Sequence, residues 1–205
     1  MVAHTRASMV EAANSLIAET GQVVSREGLA AHLGIARARV DATFPEEAAL
    51  FDAVVEEWYA PYLAIMDEVL ASDLPPARKL YEFIARRFEL ERERYHEDPA
   101  TFRLLVQIGT DRFEQVRGYI ELADHYMAQI IAEAQAEGFF PGLSIDRALS
   151  LINQMVAPYV SPVVLMMLEE RLASDKLAAI IDTIFAGLAS GERGAAPVRG
   201  LSAVR

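Results

Sequence analysis

Arg37 and Arg39 stand two residues apart in the stretch LAAHLGIARARV, where a turn containing glycine separates two short helical segments. That arrangement is the helix-turn-helix pattern. An arginine on its second helix can read guanine bidentately, and a helix N-terminus can hold phosphate. Other reactive residue types are scattered. The four histidines (His4, His32, His96 and His125) show no HExxH or paired spacing. Glu121 and His125 share a helix face, but two ligands without a third read as a polar i,i+4 pair, so no metal site is expected. GxSxG, Walker and dinucleotide glycine patterns are absent. In GTDRFEQVRG the glycines bracket a helix start and follow no strand, so this is no phosphate loop. Neither an enzyme nor a cofactor site is expected.

The elements that must carry the two arginines are helical. Met9, Ala12, Ala13, Leu16 and Ile17 recur at three- and four-residue spacing, which predicts a helix over 5–19 stopped by Gly21. Ser25 caps a short helix over 26–32 that Gly34 ends, and a third runs over 36–43 up to Pro45. From Glu46 a long helix carries Leu50, Phe51, Val54, Val55, Trp58, Tyr62, Ile65, Met66 and Val69, with Pro61 as an expected kink. Pro75 and Pro76 open the next helix, striped by Leu80, Ile84 and Phe88. Its end, ELERERYHED, reads as a solvated charged face with the pairs Glu89–Arg92 and Glu91–Arg94. Asp98-Pro99 opens another helix, a long one follows over 111–137, and GFFPGLS is a loop. Ser144 starts an apolar helix over 148–168, and after a break Leu177, Ile180, Ile181, Ile184, Phe185 and Leu188 form a regular stripe. The expected architecture is all-α, about nine helices, with residues 1–45 as a helix-turn-helix head, 46–190 as a larger helical domain and 191–205 as a disordered tail.

Composition narrows the setting. The chain has 205 residues, 53% of them hydrophobic, which supports a substantial core. Without cysteine, disulfides and thiolate chemistry are excluded. The segment MVAHTRASMVEAANSL has no basic region followed by an apolar stretch, so the cytoplasm is the expected location. Residues 148–168 contain Asn153, Gln154, Pro158 and Pro162, and read as a buried interface helix, not a membrane span. A net charge of −11 means that any nucleic-acid binding requires a local basic surface.

The order EAANSLIAETG, then GLAAHLGIARARVDATF, then EEAALFDAVV, resembles the DNA-binding domain of the TetR family of regulators, with Gly21, Leu29-Ala30, Gly34-Ile35 and Phe44 in the family's places. The resemblance covers residues 5–55. It implies that the second short helix of the motif enters the major groove and that a dimer spans two half-sites. On this chain, Arg37 and Arg39 would then approach bases or phosphates, Ser25 and Arg26 would offer a hydroxyl and helix N-terminal amides to phosphate, and Thr43 would stand beside the backbone. Two positions depart from the family. Asp41 stands where a tyrosine is usual and Glu47 where a lysine is usual. Within residues 1–50 the four arginines Arg6, Arg26, Arg37 and Arg39 face six carboxylates, Glu11, Glu19, Glu27, Asp41, Glu46 and Glu47. The resemblance leaves two functions open. One is a DNA-binding regulator, in the main a repressor, controlled by an apolar or amphipathic effector. The other is the same fold acting on another regulator through protein–protein contact after losing DNA binding.

An effector domain needs an apolar cavity with a few polar groups. Trp58, Tyr62, Gln107, His125, Tyr126, Asn153 and Gln154 are the candidate lining. A homodimer is expected through the last two helices, with Val163, Met166, Met167, Ile180, Ile184 and Phe185 at the interface, because the run 163–168 cannot turn every side chain to one core. The expected mechanism has an effector pivoting the helix over 46–70, with Pro61 as a flex point.

Overall fold

A computed structural model describes residues 4–188, all of whose regular structure is helical. Helix α1 (Arg6–Thr20) begins at Thr5, whose side chain accepts from the Ser8 N–H at 3.2 Å, and ends at Gly21 with φ 66°. Helix α2 (Arg26–Leu33) begins at Ser25, which accepts from the Gly28 N–H at 3.0 Å, and ends at Gly34 with φ 63°. Both glycines occupy the left-handed region, where a Cβ is strained. Helix α3 (Arg37–Thr43) follows after two further residues. Helices α2 and α3, too short to bury a core of their own, close on one another and on α1. Met9, Val10, Ala13 and Ile17 meet Leu29, Val40 and Phe44, all buried.

That core does not stop at residue 45. Leu50, Phe51, Val54 and Val55 of α4 (Glu47–Ala71) belong to it, as do Ile108 of α6 (Pro99–Asp111) and Val116 of α7 (Phe113–Ala136). The second core surrounds α5 (Pro76–Glu97), whose Leu80, Phe83, Ile84 and Phe88 are sealed by Met66 and Val69 from α4, Met127, Ile130 and Ile131 from α7, and Ile152 and Val156 from α8 (Ile145–Val160). Pro61 lies inside α4, which continues through it. A buried ammonium ties three elements of this core. Lys79 Nζ donates to the Leu70 carbonyl at 3.0 Å and to Glu133 Oε2 at 2.8 Å. Asp98 turns the chain from α5 into α6 by accepting from the N–H groups of Ala100 and Thr101.

The chain departs from the sequence expectations in four places. There are ten α-helices among the described residues, not about nine, because Ser161-Pro162 breaks the apolar segment over 148–168 into α8 and α9 (Pro162–Leu168). The two segments meet at 54°, and among the described residues no single helix is long and apolar enough to cross a membrane. Proline at the first turn of α9 cannot donate back to α8, and Ser161 caps the new helix instead. A single 3-10 turn (Glu169–Arg171) leads to α10 (Ser174–Gly187).

Second, the α10 stripe faces the chain's own core. Ile181, Ile184 and Phe185 are buried, and the Phe185 ring sits 4.9 Å from that of Phe140 and 5.1 Å from that of Phe139. Third, the charged end of α5 is not uniformly solvated. Glu89 and Arg92 form the expected pair at 2.9 Å, but Glu91 is only 5% exposed and forms no ion pair with Arg94. Fourth, the head shares its core with α4, α6 and α7. The tail expected over 191–205 lies outside the described residues.

Candidate functional site

Two regions gather chemistry: the α2–α3 head and a cavity beside α4. In the head, Arg26 is largely enclosed and committed. Its Nη1 donates to the carbonyls of Phe44 (3.0 Å) and Pro45 (2.6 Å) and lies 3.0 Å from Asp41 Oδ1, and its Nε donates to Glu47 Oε1 at 3.3 Å. The other oxygen of Glu47 accepts from the Arg26 backbone N–H at 2.9 Å. A carboxylate therefore sits on the positive end of α2, where the partial charges of the free N–H groups favour an anion.

Arg37 is likewise engaged, 3.4 Å from Glu27 and 3.5 Å from Asp41. Arg39 is exposed, and its guanidinium has no hydrogen bond or ion pair among the described residues. Ser25 caps α2, and the Thr43 hydroxyl donates back to the Arg39 carbonyl at 3.3 Å. The residues expected to meet nucleic acid thus lie together on one head, but Asp41 and Glu47 hold two of the three arginines among them, Arg26 and Arg37.

The cavity measures about 310 Å³. Phe51, Val54, Trp58, Tyr59 and Tyr62 of α4 form one wall, Leu105 and Ile108 of α6 another, and Phe113, Val116, Tyr119 and Ile120 of α7 a third. Ile17 and Val23 close it from the head, and Val160, Pro162 and Val163 from the α8–α9 elbow. Tyr59 and Tyr119 stack across it with centroids 4.4 Å apart. Phe113, Ile120 and Val163 are each close to half exposed, although large and apolar.

Its charged groups come from one helix. Arg87 and Glu91, one turn apart on α5, both line it. Glu91 Oε2 and Arg87 Nε are sealed from solvent without a hydrogen-bond partner. Arg94, one turn further, is occupied. Its guanidinium lies 4.1 Å above the Trp58 ring, and its Nη1 donates to the Trp58 carbonyl at 3.0 Å. Burial pushes the Glu91 carboxyl up to about 8 against the pull of Arg87 and Arg94. Burial, then the nearby Glu91, also raises Tyr59 and Tyr62. Desolvation lowers Arg87, but a guanidinium keeps its proton at neutral pH.

Of the seven candidate lining residues, the cavity receives Trp58 and Tyr62. The others lie elsewhere. Gln107 donates to Asp111 on the outside of α6, and Gln154 to Ser150 on α8. His125 is exposed, its neighbour Tyr126 donates to Asp67, and Asn153 donates to Asp124 at 2.8 Å. Sequence reasoning missed Arg87 and Glu91. Their signal was spacing. Leu80, Ile84, Arg87, Glu91 and Arg94 recur at alternating four- and three-residue steps, so the charged positions continue the buried stripe.

Among the interface candidates, Met167 is 76% exposed and Val163 46%. Met166 and Ile180 are half-buried, whereas Ile184 and Phe185 are enclosed within the chain. Among the described residues no group of three or more histidine, aspartate or glutamate side chains converges as a metal site.

Residues 76–181 match the family described as "Tetracyclin repressor-like, C-terminal domain". No curated protein matches the chain. Among solved structures, it is similar to a candidate fatty acid metabolism regulator from Clostridium perfringens, with a TM-score of 0.61, 18% identity, and 87% of this chain and 97% of that one covered. It is similar also to a candidate TetR-family transcriptional regulator from Mesorhizobium loti, with a TM-score of 0.61, 18% identity and coverage of 89% and 94%. A third is the TetR-family transcriptional regulator PfmR from Thermus thermophilus, with a TM-score of 0.53, 17% identity and coverage of 88% and 98%. At these identities the likeness is one of fold.

Proposed function

This chain belongs to the tetracycline-repressor-like family of transcriptional regulators, and from that premise we propose that it is an effector-controlled DNA-binding repressor. The observation that carries the reading is the position of the cavity. Its walls include Ile17 and Val23 of the head together with Trp58 and Tyr62 of α4 and Val160 of α8, so an occupant touches the head and the larger domain at once. A ligand that favours one placement of the head shifts the chain by its differential affinity for the two placements. Residues 1–45 act as the head, and the chain acts as a homodimer through the exposed α8–α9 elbow, where Met155, Val163 and Met167 are uncovered. Arg39 is the side chain offered to base edges, with Ser25 and Thr43 beside it.

The test is binding of the purified protein to genomic fragments, first from its own promoter region, at low and at physiological salt. Saturable, sequence-selective binding that Arg39→Ala removes supports the repressor. A second reading has its own observation: Glu47 and Asp41 occupy the helix end and two of the arginines that would meet phosphate. On that reading the head has lost DNA and acts on another regulator by protein contact. Absence of selective binding at low salt, combined with a stoichiometric protein partner from the source cell, supports it.

A further inference from the structure

The cavity would not need a charged pair if it served only to seat an apolar body. Glu91 is 95% enclosed, counting its 5% exposure, and a buried carboxyl without a hydrogen bond costs stability. Arg87, one turn before it, turns a guanidinium into the same space. Its guanidinium lies near two rings, 5.2 Å from the centroid of Phe83 and 6.0 Å from that of Tyr62. Neither residue forms a hydrogen bond or an ion pair among the described residues, and Oε2 of one and Nε of the other are out of reach of bulk solvent. Every other wall is aromatic or aliphatic except for Thr110 and the hydroxyls of Tyr59, Tyr62 and Tyr119. Two oppositely charged side chains that line an otherwise apolar chamber and have no hydrogen-bond partner within the chain are the pattern of a recognition site for the polar end of a ligand.

Charge selects the sign of that end. Around Glu91, α5 contributes Arg87 and Arg94 and α4 contributes Tyr59 and Tyr62, with Tyr119 of α7 acting on Tyr59 and Asp124 on Arg87. Asp124 already accepts from Asn153, and Arg94 is already bound to Trp58. Glu91 carries its proton at neutral pH, since burial lifts it to about 8. It then presents an O–H donor beside the five N–H donors of Arg87. The chamber end is cationic and rich in donors, so it calls for an anionic acceptor. Its volume of about 310 Å³ holds on the order of ten water-sized groups at ~30 Å³ each.

We propose that the effector is a compact organic monocarboxylate, its carboxylate clamped between the Arg87 guanidinium and the Glu91 carboxyl group, with its apolar body against Trp58, Tyr59 and Tyr119. The proposal rests on the reading of this cavity as the effector site. No bond is made or broken. The ligand carboxylate accepts from both side chains, and Glu91 keeps its proton.

Trp58, the single tryptophan, lines the chamber and reports occupancy. The full chain is titrated at pH 7 with octanoate, 1-octanol and octylamine while Trp58 fluorescence is followed. The expected result is saturable octanoate binding at least tenfold tighter than that of either analogue. It should weaken about tenfold between pH 7 and pH 9 as Glu91 loses its proton. Glu91→Gln, which keeps a donor, should bind within about threefold of the parent at pH 7 and lose the pH dependence, while Arg87→Met should bind about thirtyfold more weakly.

The parent's ranking of the three probes needs no variant, so a misfolded Arg87→Met does not remove the test. Equal binding of octanoate and octanol, or preference for octylamine, overturns the carboxylate assignment while leaving the chamber an effector site. Absence of a response to all three overturns the assignment as well. Fragment binding, measured separately, decides the regulator reading.

Discussion

Glu47 Oε2 lies 2.9 Å from the backbone nitrogen of Arg26, so the first amide of α2 is occupied by a carboxylate of the same chain. Any phosphate approaching that helix end competes with it. Glu47→Ala should release the amide and weaken the head by about 0.5–1 kcal/mol, the size of a lost charge–dipole contact. Binding to promoter fragments should tighten, and the slope of log K against log salt should steepen by about 0.9 for the one phosphate gained. Unchanged slope and affinity would show that α2 stands away from the DNA backbone.

Arg39 and Arg37 should separate in the same assay. Arg37 is held by Glu27 and Asp41, whereas Arg39 projects unpaired from α3. Arg39→Ala is expected to cost about 1–3 kcal/mol of selective binding, the worth of one bidentate base contact. Arg37→Ala should cost less than half as much, because its ion pairs must be broken before it can serve. Competition against scrambled fragments measures both.

Stability should decline with rising pH through Glu91. The unfolded chain titrates near the ordinary value of 4.5 and the folded carboxyl at about 8, so between these values the folded state binds more protons than the unfolded one. Folding is therefore penalised progressively from pH 4.5 upward, and the penalty is complete above pH 8. Glu91→Leu should flatten this dependence. At pH 8 it should stabilise by about 1–4 kcal/mol, as replacing a buried charged group with an apolar one does, or about 2–4 °C in Tm per kcal/mol. Scanning calorimetry at pH 5, 7 and 9 makes the comparison, and an unaltered pH profile in the variant would refute it.

Lys79→Met tests the tie among α4, α5 and α7. Removing the ammonium strips a partner from Leu70 and from Glu133, but the Glu133 side chain is 42% exposed and can turn to water. A loss of about 1–2 kcal/mol is expected in urea unfolding, with little change in fragment binding. Glu133→Gln should cost less still.

Met167→Glu probes the elbow. Light scattering should show a dimer falling to monomer with the Tm of the isolated fold retained. Phe185→Ala should instead lower stability by about 3–5 kcal/mol, since that ring is packed on Phe139 and Phe140 inside the chain. A monomeric parent at micromolar concentration would remove the elbow as an interface.

Much of this fold was legible because caps and stripes are local. Thr5, Ser25, Ser144 and Asp98 start helices, and Gly21, Gly34 and Gly138 end them, where hydrogen bonding and φ allow nothing simpler. The cavity was less legible, because of the seven candidates only Trp58 and Tyr62 line it. Gln107, Asn153 and Gln154 were chosen for polarity, yet each satisfies itself on its own helix or across to the next. Arg87 and Glu91 sat inside a run of charges that resembles a solvated surface, and residue type masked what their register along α5 disclosed. The direction of the α10 stripe was open for a different reason. A one-sided apolar helix is equally content against its own chain or another, and its seat against α5, α8 and the Phe139 and Phe140 rings of the α7–α8 loop decides.

The shared core at the top of α4 has a practical consequence for anyone building chimeras. Leu50, Phe51, Val54 and Val55 form part of the floor on which Met9, Ile17 and Val40 rest, and Ile108 and Val116 brace the same floor from behind. A graft that swaps only residues 1–45 for those of a relative would join a foreign underside to this one. An exchange of heads that keeps this core intact therefore has to place its junction beyond Val55 and repack Ile108 and Val116 to match. The smallest transplantable reading unit of this chain is larger than its helix-turn-helix.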